Sequence, residues 1–206
     1  MTIFHLNFSA TGGEFISDFD IRISSFPFED IFEWGLAMAT VTFKGNPIHT
    51  AGNLPAVGKK APALRLVGAD LNEVGLDNYA GKIRILNIVP SLDTPVCAIS
   101  AQRFNAEVAS LKNIVLFNIS ADLPFAQKRF CESNSLNNIV TLSTFRAPDF
   151  GRDYGVLIND SPLAGLMSRA VLVIDPVGTV VYAEQVPDIA REPDYTAALK
   201  AAKSVS

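Results

Sequence analysis

Strand, turn and helix N-terminus follow one another in the stretch Lys82-Ile-Arg-Ile-Leu-Asn-Ile-Val-Pro90-Ser-Leu-Asp-Thr-Pro-Val-Cys97. The apolar run over residues 83–89 predicts a buried central strand. Pro95 fits the first position of a helix, where a missing N–H costs nothing, and Thr94 or Asp93 is a natural N-cap. Cys97 then falls in the first helical turn beyond a strand end, which is where open α/β sheets place their chemistry.

The predicted position of Cys97 favours its thiolate form, because unpaired N–H groups and the positive end of a helix dipole act on the first turn. The thiolate is the nucleophile, whereas a free thiol with a pKa of about 8.5 is only about 3% ionised at pH 7. The alternative is an inert core residue, since a lone cysteine in apolar surroundings packs like a small hydrophobe. The strand–turn–helix setting favours the reactive interpretation.

Composition indicates a globular chain, with 49% hydrophobic residues among 206 and a formal net charge of −4. This length suits one α/β domain with an adequate core. The apolar runs have the length of strands, and no basic block is present. We therefore expect neither a membrane nor a nucleic acid as a partner.

Cysteine and histidine are scarce: the chain holds Cys97, Cys131, His5 and His49. Two cysteines in a chain of this length are either inert thiols or a redox pair. A metal site would need nearly all four residues, and their spacing matches no metal motif. A Cys–His protease would have to use His49, which lies in a predicted hairpin. We therefore expect chemistry without a metal or an organic cofactor.

Residues 1–37 differ in composition from the rest of the chain. They hold seven of the 14 Phe and the only Trp, and six acidic residues against one basic give them a net charge of −5, which leaves +1 for residues 38–206. They lack the basic region of a secretory signal and are too acidic for a transit peptide. Because alternation of apolar and polar residues begins directly after Met38, we expect Met38 to be the native initiator and 1–37 to be upstream sequence translated in error. The alternative is a genuine, poorly ordered extension with an apolar binding face.

Beyond Met38 the patterns predict an added N-terminal β-hairpin and then a thioredoxin-like α/β fold. The hairpin covers residues 40–50 and precedes a Pro/Gly-rich loop at 54–62. Strands are predicted at 63–67, 83–89, 114–120, 140–143, 169–175 and 179–186, the last two forming a hairpin. Helices are predicted at 95–112, 124–131 and 193–203.

Several blocks of the chain resemble one family. The pattern Pro90-x-x-x-Thr94-x-x-Cys97 matches the peroxiredoxin active site. The block Asn118-Ile-Ser-Ala-Asp-Leu-Pro-Phe-Ala-Gln-Lys-Arg-Phe-Cys131 resembles the thiol peroxidases (Tpx), the atypical two-cysteine subfamily, as do Leu136-Asn-Asn-Ile-Val-Thr-Leu-Ser-Thr-Phe-Arg146 and Glu192-Pro-Asp-Tyr-Thr-Ala-Ala-Leu199. The resemblance extends over 38–206. It implies a cytoplasmic, bacterial peroxidase, usually a homodimer, that reduces hydrogen peroxide and alkyl hydroperoxides.

The resemblance also implies roles for five residues. Cys97 matches the peroxidatic cysteine, which attacks the terminal peroxide oxygen, and Cys131 matches the resolving cysteine of the same chain. Thr94 matches the residue whose hydroxyl forms hydrogen bonds to the thiolate and the peroxide. Pro90 matches the proline that shields the site, and Arg169 matches the arginine that pairs with the thiolate. The implied cycle forms a Cys97 sulfenic acid, then a Cys97–Cys131 disulfide, which thioredoxin reduces.

From the residues alone, other interpretations stay open. Arg169 is equally well an exposed arginine on an edge strand, Thr94 only an N-cap, and Cys131 a core residue beside Phe130. A disulfide requires Cα atoms about 4.4–6.8 Å apart, so we expect local unwinding around both cysteines during turnover. The rival functions are a peroxiredoxin of another subtype and a redox-sensing relay that passes oxidation to a partner protein.

Overall fold

The computed structural model describes residues 38–205, and the predictions for residues 1–37 lie outside that range. The strands of the described residues are β1 (Thr40–Phe43), β2 (Asn46–His49), β3 (Arg65–Gly68), β4 (Glu73–Gly75), β5 (Ile83–Ile88), β6 (Ile114–Ser120), β7 (Ile139–Ser143), β8 (Ala170–Ile174) and β9 (Val180–Gln185). The helices are α1 (Pro95–Val108), α2 (Pro124–Ser133), α3 (Phe150–Asp153) and α4 (Tyr195–Ser204), with a 3₁₀ turn at Leu76–Tyr79.

Seven strands form the central sheet in the order β4-β3-β7-β6-β5-β8-β9. Strands β5, β6 and β7 are parallel neighbours, whereas β8 is antiparallel to β5. Parallel neighbours need a crossover, and here α1 joins β5 to β6 and α2 joins β6 to β7. Both of these helices therefore begin at the same edge of the sheet, beyond the carboxyl ends of β5 and β6.

Alternate residues of β5 face two separate cores, and all six of its side chains are buried. Leu86 and Ile88 belong to one apolar cluster, and Ile83 and Ile85 belong to the other. The second cluster also contains Phe104 of α1 and Leu199 of α4, so these two helices cover that face of the sheet. The predicted central strand is therefore present as β5, and its side chains are buried because both faces of the strand are covered.

The N-terminal hairpin pairs β1 with β2 through a turn at Lys44 and Gly45, which adopt φ values of 52° and 82°. Positive φ at both turn residues suits the twist of a two-residue hairpin. Thr42 binds the hairpin to the segment after β9. Its backbone N–H donates to the carbonyl oxygen of Pro187 at 2.8 Å, and its carbonyl oxygen accepts from Ile189 N at 2.9 Å. The hairpin therefore holds residues 187–189 in place.

The element order confirms the predicted α/β fold with an added hairpin, although some bounds differ. Helix α1 ends at Val108 rather than at 112, because Leu111 N turns back to the Val108 oxygen and Asn113 adopts a φ of 61° before β6. The short elements β4 and α3 were not predicted, since three or four residues carry too little periodicity. Among residues 38–205, none of the helices combines the length and apolar character that a membrane span requires.

Candidate active site

Cys97 is the third residue of α1 and is fully buried as a free thiol. The predicted placement in the first helical turn is confirmed. Thr94 occupies the N-cap position, but its hydroxyl makes no capping bond and instead donates to the Ser91 oxygen at 3.1 Å. The first turn of α1, which contains Cys97, therefore lacks a side-chain cap.

Arg169, the residue directly before β8, lies against Cys97. Its Nη2 donates to the sulfur at 3.3 Å and its Nε donates to the Ile189 oxygen at 3.0 Å, while its Nη1 has no hydrogen-bond partner. The side chain is only 1% exposed, so the alternative of a solvent-exposed arginine is wrong. None of the ion pairs in the described part of the chain includes Arg169. Because a buried charge is costly unless paired, the guanidinium is placed to interact with negative charge that develops beside the Cys97 sulfur.

A cavity of about 420 Å³ opens beside this pair. Its walls come from the hairpin, the start of α1, the 163–166 loop and the 189–190 segment, and most of the side chains are apolar. Three of the predicted site residues border it: Pro90, Thr94 and Arg169. Pro90 is buried and Thr94 is exposed at the rim. The cavity therefore leads to the guanidinium that contacts the Cys97 sulfur.

Two apolar residues, Leu92 and Val96, lie near the start of α1. Val96 does line the cavity, whereas Leu92 does not and packs in an apolar cluster with Cys97. The hairpin contributes Phe43 and Lys44, which the sequence did not connect with the site. The cavity thus has an apolar wall and a cationic side chain that both come from β1 and its turn.

Cys131 is the eighth residue of α2, half-buried and also a free thiol, so the predicted disulfide is open in this structure. Burial raises the pKa of the Cys131 thiol, and the negative charge of Glu132 raises it further. Cys131 packs against the same apolar cluster that contains Cys97, together with Leu136 and Phe130. The two cysteines therefore share one small core, and neither of them lines the cavity directly.

Two further contributions to the site were not predicted. One is the carbonyl oxygen of Ile189, which anchors Arg169; a backbone group leaves no signal in residue types. The other is Asp122, whose carboxylate accepts from Ser91 Oγ and Leu92 N, both at 2.7 Å. Asp122 follows the carboxyl end of β6, at the edge of the sheet where α/β folds place their functional residues. Its position in the sequence could therefore have indicated a role in the site.

The described residues contain no group of three or more His, Cys, Asp or Glu side chains arranged to hold a metal ion. The site itself places a sulfur nucleophile, Cys97, beside the fixed guanidinium of Arg169. Such a pair can attack an electrophilic atom while the cation stabilises developing negative charge.

Comparison with known proteins agrees with this geometry. Residues 56–199 match the Redoxin family. The chain is 52% identical over 164 residues to the thiol peroxidase of Mycobacterium tuberculosis (strain ATCC 25618 / H37Rv), an alignment covering 80% of this chain and 98% of that relative.

Two solved structures support the same relationship. The peroxiredoxin-like protein from Aquifex aeolicus aligns with a TM-score of 0.77 at 40% identity, covering 82% of this chain and 99% of that one. The thiol peroxidase from Chromobacterium violaceum aligns with a TM-score of 0.75 at 25% identity, covering 80% and 95%. The fold and the sequence matches agree, and the chain belongs to the thiol peroxidase (Tpx) subfamily of the peroxiredoxins.

Proposed function

We propose that this thiol-dependent peroxidase reduces hydrogen peroxide and alkyl hydroperoxides with Cys97 as its nucleophile. The observation that carries the proposal is the buried Arg169 guanidinium, 3.3 Å from the Cys97 sulfur and bordering an apolar cavity. An apolar cavity accommodates the alkyl group of an organic hydroperoxide, and the guanidinium offers donors to its oxygens.

In the first step the Cys97 thiolate attacks the terminal oxygen of the peroxide. A sulfur–oxygen bond forms and the oxygen–oxygen bond breaks, leaving a Cys97 sulfenic acid and an alkoxide, which takes a proton to become an alcohol. Negative charge moves from sulfur to the leaving oxygen during this step. Arg169 suits it because Nη2 already contacts the sulfur, while the unpaired Nη1 is a donor that a peroxide oxygen would satisfy.

Pro90 and Thr94 act at the entrance of the site. Pro90 is buried in the cavity wall and excludes water from the sulfur. Thr94 lines the rim, and its hydroxyl can exchange the Ser91 oxygen for a peroxide oxygen by rotating about one bond. Both residues then help to hold the peroxide next to Cys97.

Cys131 is the resolving thiol in this proposal. It condenses with the Cys97 sulfenic acid, so that a disulfide forms and water leaves, and a dithiol reductant of the thioredoxin type reopens the bond. Support comes from the apolar cluster that the two cysteines share. Because Cys97 is fully buried within α1, we expect the first turn of α1 and the end of α2 to unwind locally as the disulfide forms.

We further propose that the protein is a homodimer. We also propose that it acts in the cytoplasm, where cellular reductants keep thiols reduced. Four large apolar side chains of α1, α2 and the loops beside them are more than 40% exposed: Ile99, Leu123, Phe125 and Phe145. Light scattering should give twice the 22.2 kDa of one chain, and Phe125→Glu should lower that mass. A monomer in the parent protein would contradict this part of the proposal.

Intact-mass analysis tests the chemical proposal. One equivalent of peroxide should remove two hydrogens from the chain, and peptide mapping should join Cys97 to Cys131 within one molecule. A disulfide between chains, or a sulfenic acid that persists beside a free Cys131 thiol, would show that resolution follows another route.

A further inference from the structure

The carboxylate of Asp122 lies between the segments that carry the two cysteines. It is the second residue after β6 and precedes α2 by two residues. Its Oδ1 accepts from Ser91 Oγ at 2.7 Å, and its Oδ2 accepts from Leu92 N at 2.7 Å and from Ser120 Oγ at 2.8 Å. Both carboxylate oxygens are therefore engaged by short hydrogen bonds, which are strong when the acceptor is ionised.

One branch of this network leads to Cys97. Ser91, held by Asp122, accepts from Asp93 N through its hydroxyl at 3.2 Å and from Thr94 N through its carbonyl oxygen at 3.2 Å. Thr94 is the N-cap of α1, and Cys97 is the third residue of that helix. Asp122 thus fixes the loop that sets where α1 begins.

The other branch leads to the helix that carries Cys131. Ser120 Oγ, which donates to Asp122, accepts from Gln127 Nε2 at 2.9 Å, and Gln127 Nε2 also donates to the Leu142 oxygen at 3.0 Å. Gln127 is fully buried in α2, one helical turn before Cys131. The same carboxylate therefore restrains both helices.

We infer that Asp122 is a positioning residue that sets the balance between peroxide attack by Cys97 and disulfide closure with Cys131; this inference rests on the proposed function. Intact, the network keeps the start of α1 against Arg169, the arrangement that suits attack. In the proposed closure the same segment leaves that arrangement, so the hydrogen bonds from Ser91 and Leu92 to Asp122 oppose it. Weakening the network should slow the first step and accelerate the second.

The test is Asp122→Asn, which keeps the side-chain volume but replaces one acceptor oxygen by a donor. Rapid-quench mass spectrometry, with a sulfenic-acid trap, measures oxidation of Cys97 and disulfide formation separately. We expect oxidation to slow and closure to accelerate, each by about threefold to tenfold. A smaller fraction of the variant should then reach the sulfinic acid at high peroxide, because less sulfenic acid waits for a second oxidation.

Ser143→Ala is the matched control. Ser143 Oγ donates to the backbone oxygen of Asp122 at 2.6 Å, so its removal loosens the same loop and leaves the three carboxylate contacts in place. A merely structural role for Asp122 predicts equal changes in both rates, or the same ratio of rates in the two variants, and either result would overturn the inference. If Asp122→Asn does not fold, Ser91→Ala removes the contact at Oδ1 and is measured in the same way.

Failure of the proposed function gives a different result. If the parent protein forms no Cys97 sulfenic acid and no Cys97–Cys131 disulfide, the proposed chemistry is wrong. If the parent completes that cycle and Asp122→Asn leaves the ratio of the two rates unchanged, the chemistry holds and the role of Asp122 is wrong.

Discussion

The Nη2 atom of Arg169 lies 3.3 Å from the sulfur of Cys97, a residue 72 positions earlier in the chain. The contact joins the first turn of α1 to the residue that precedes β8, across the antiparallel pairing of β5 with β8. Because β5 and β8 are hydrogen-bonded neighbours, the sheet holds the residue that carries the cation close to the strand that leads into α1. Such preorganisation is what makes an electrostatic contribution to catalysis large.

Replacing Cys97 by Ser should abolish peroxide reduction, because an alcohol supplies no anion near neutral pH. NADPH consumption in an assay coupled to thioredoxin and its reductase measures the loss. Turnover within tenfold of the parent protein would show that another group is the nucleophile.

Arg169→Ala should slow the oxidation of Cys97 by tenfold or more, since a hydrogen bond to a charged group contributes about 1.5–3 kcal/mol. Stopped-flow kinetics without a reductant, in which each Cys97 can be oxidised only once, isolate this step. Arg152→Ala is the control, because Arg152 is an exposed partner of Asp149 on α3. Arg169→Lys should recover only part of the rate, because an ammonium lacks the planar fork of a guanidinium. Equal rates in the two alanine variants would contradict a role for the contact.

Cys131→Ser should spare the first peroxide turnover and abolish recycling by thioredoxin. Without a second thiol the Cys97 sulfenic acid cannot become a disulfide, and excess peroxide drives it to the sulfinic acid. Mass spectrometry should show one stoichiometric burst and then the addition of two oxygens to Cys97. Sustained turnover near the parental rate would mean that Cys131 is a core residue.

The alkylation of Cys131 should depend on pH in a defined direction. Burial and Glu132 raise its pKa, so the thiol stays protonated to a higher pH than an ordinary cysteine. In the Cys97→Ser background, the rate of iodoacetamide labelling should therefore rise at higher pH in the folded protein than in urea. Glu132→Gln should shift the folded protein's labelling curve slightly toward lower pH. The shift should be small because Glu132 is the smaller of the two causes that raise the pKa of Cys131. Coincident folded and unfolded curves would contradict the shift.

Removing residues 1–37 should leave folding and peroxidase activity intact, because the hairpin, the sheet and the cavity are built from residues 38–205. Thermal unfolding and the coupled assay should give values close to those of the full chain. Aggregation, or loss of most of the activity, would show that the extension belongs to the working enzyme.

The local chemistry around Cys97 was predictable from the sequence because it depends on neighbours in the chain. The apolar run of β5 and the proline that opens α1 each act within a few residues. Residues near Cys97 thus predicted a buried strand, a helix start and a cysteine in its first turn.

Tertiary contacts account for what the sequence left open. Arg169 was ambiguous because its burial depends on the Ile189 oxygen and on α1, neither of which is its neighbour in the chain. The roles of Phe43 and Lys44 in the cavity likewise appear only once the hairpin is folded beside α1. Cys131 keeps two interpretations, since its helix position is compatible with either a core residue or a thiol that moves.

The hydrogen bond between Thr42 and Pro187 joins residues 145 positions apart, and the next residues of that segment lead to the Ile189 oxygen that anchors Arg169. The ribosome makes Cys97 long before it makes Ile189. A growing chain therefore exposes a thiol whose guanidinium partner is not yet anchored. The order of synthesis delays the assembly of the reactive pair until residues 187–189 have been made.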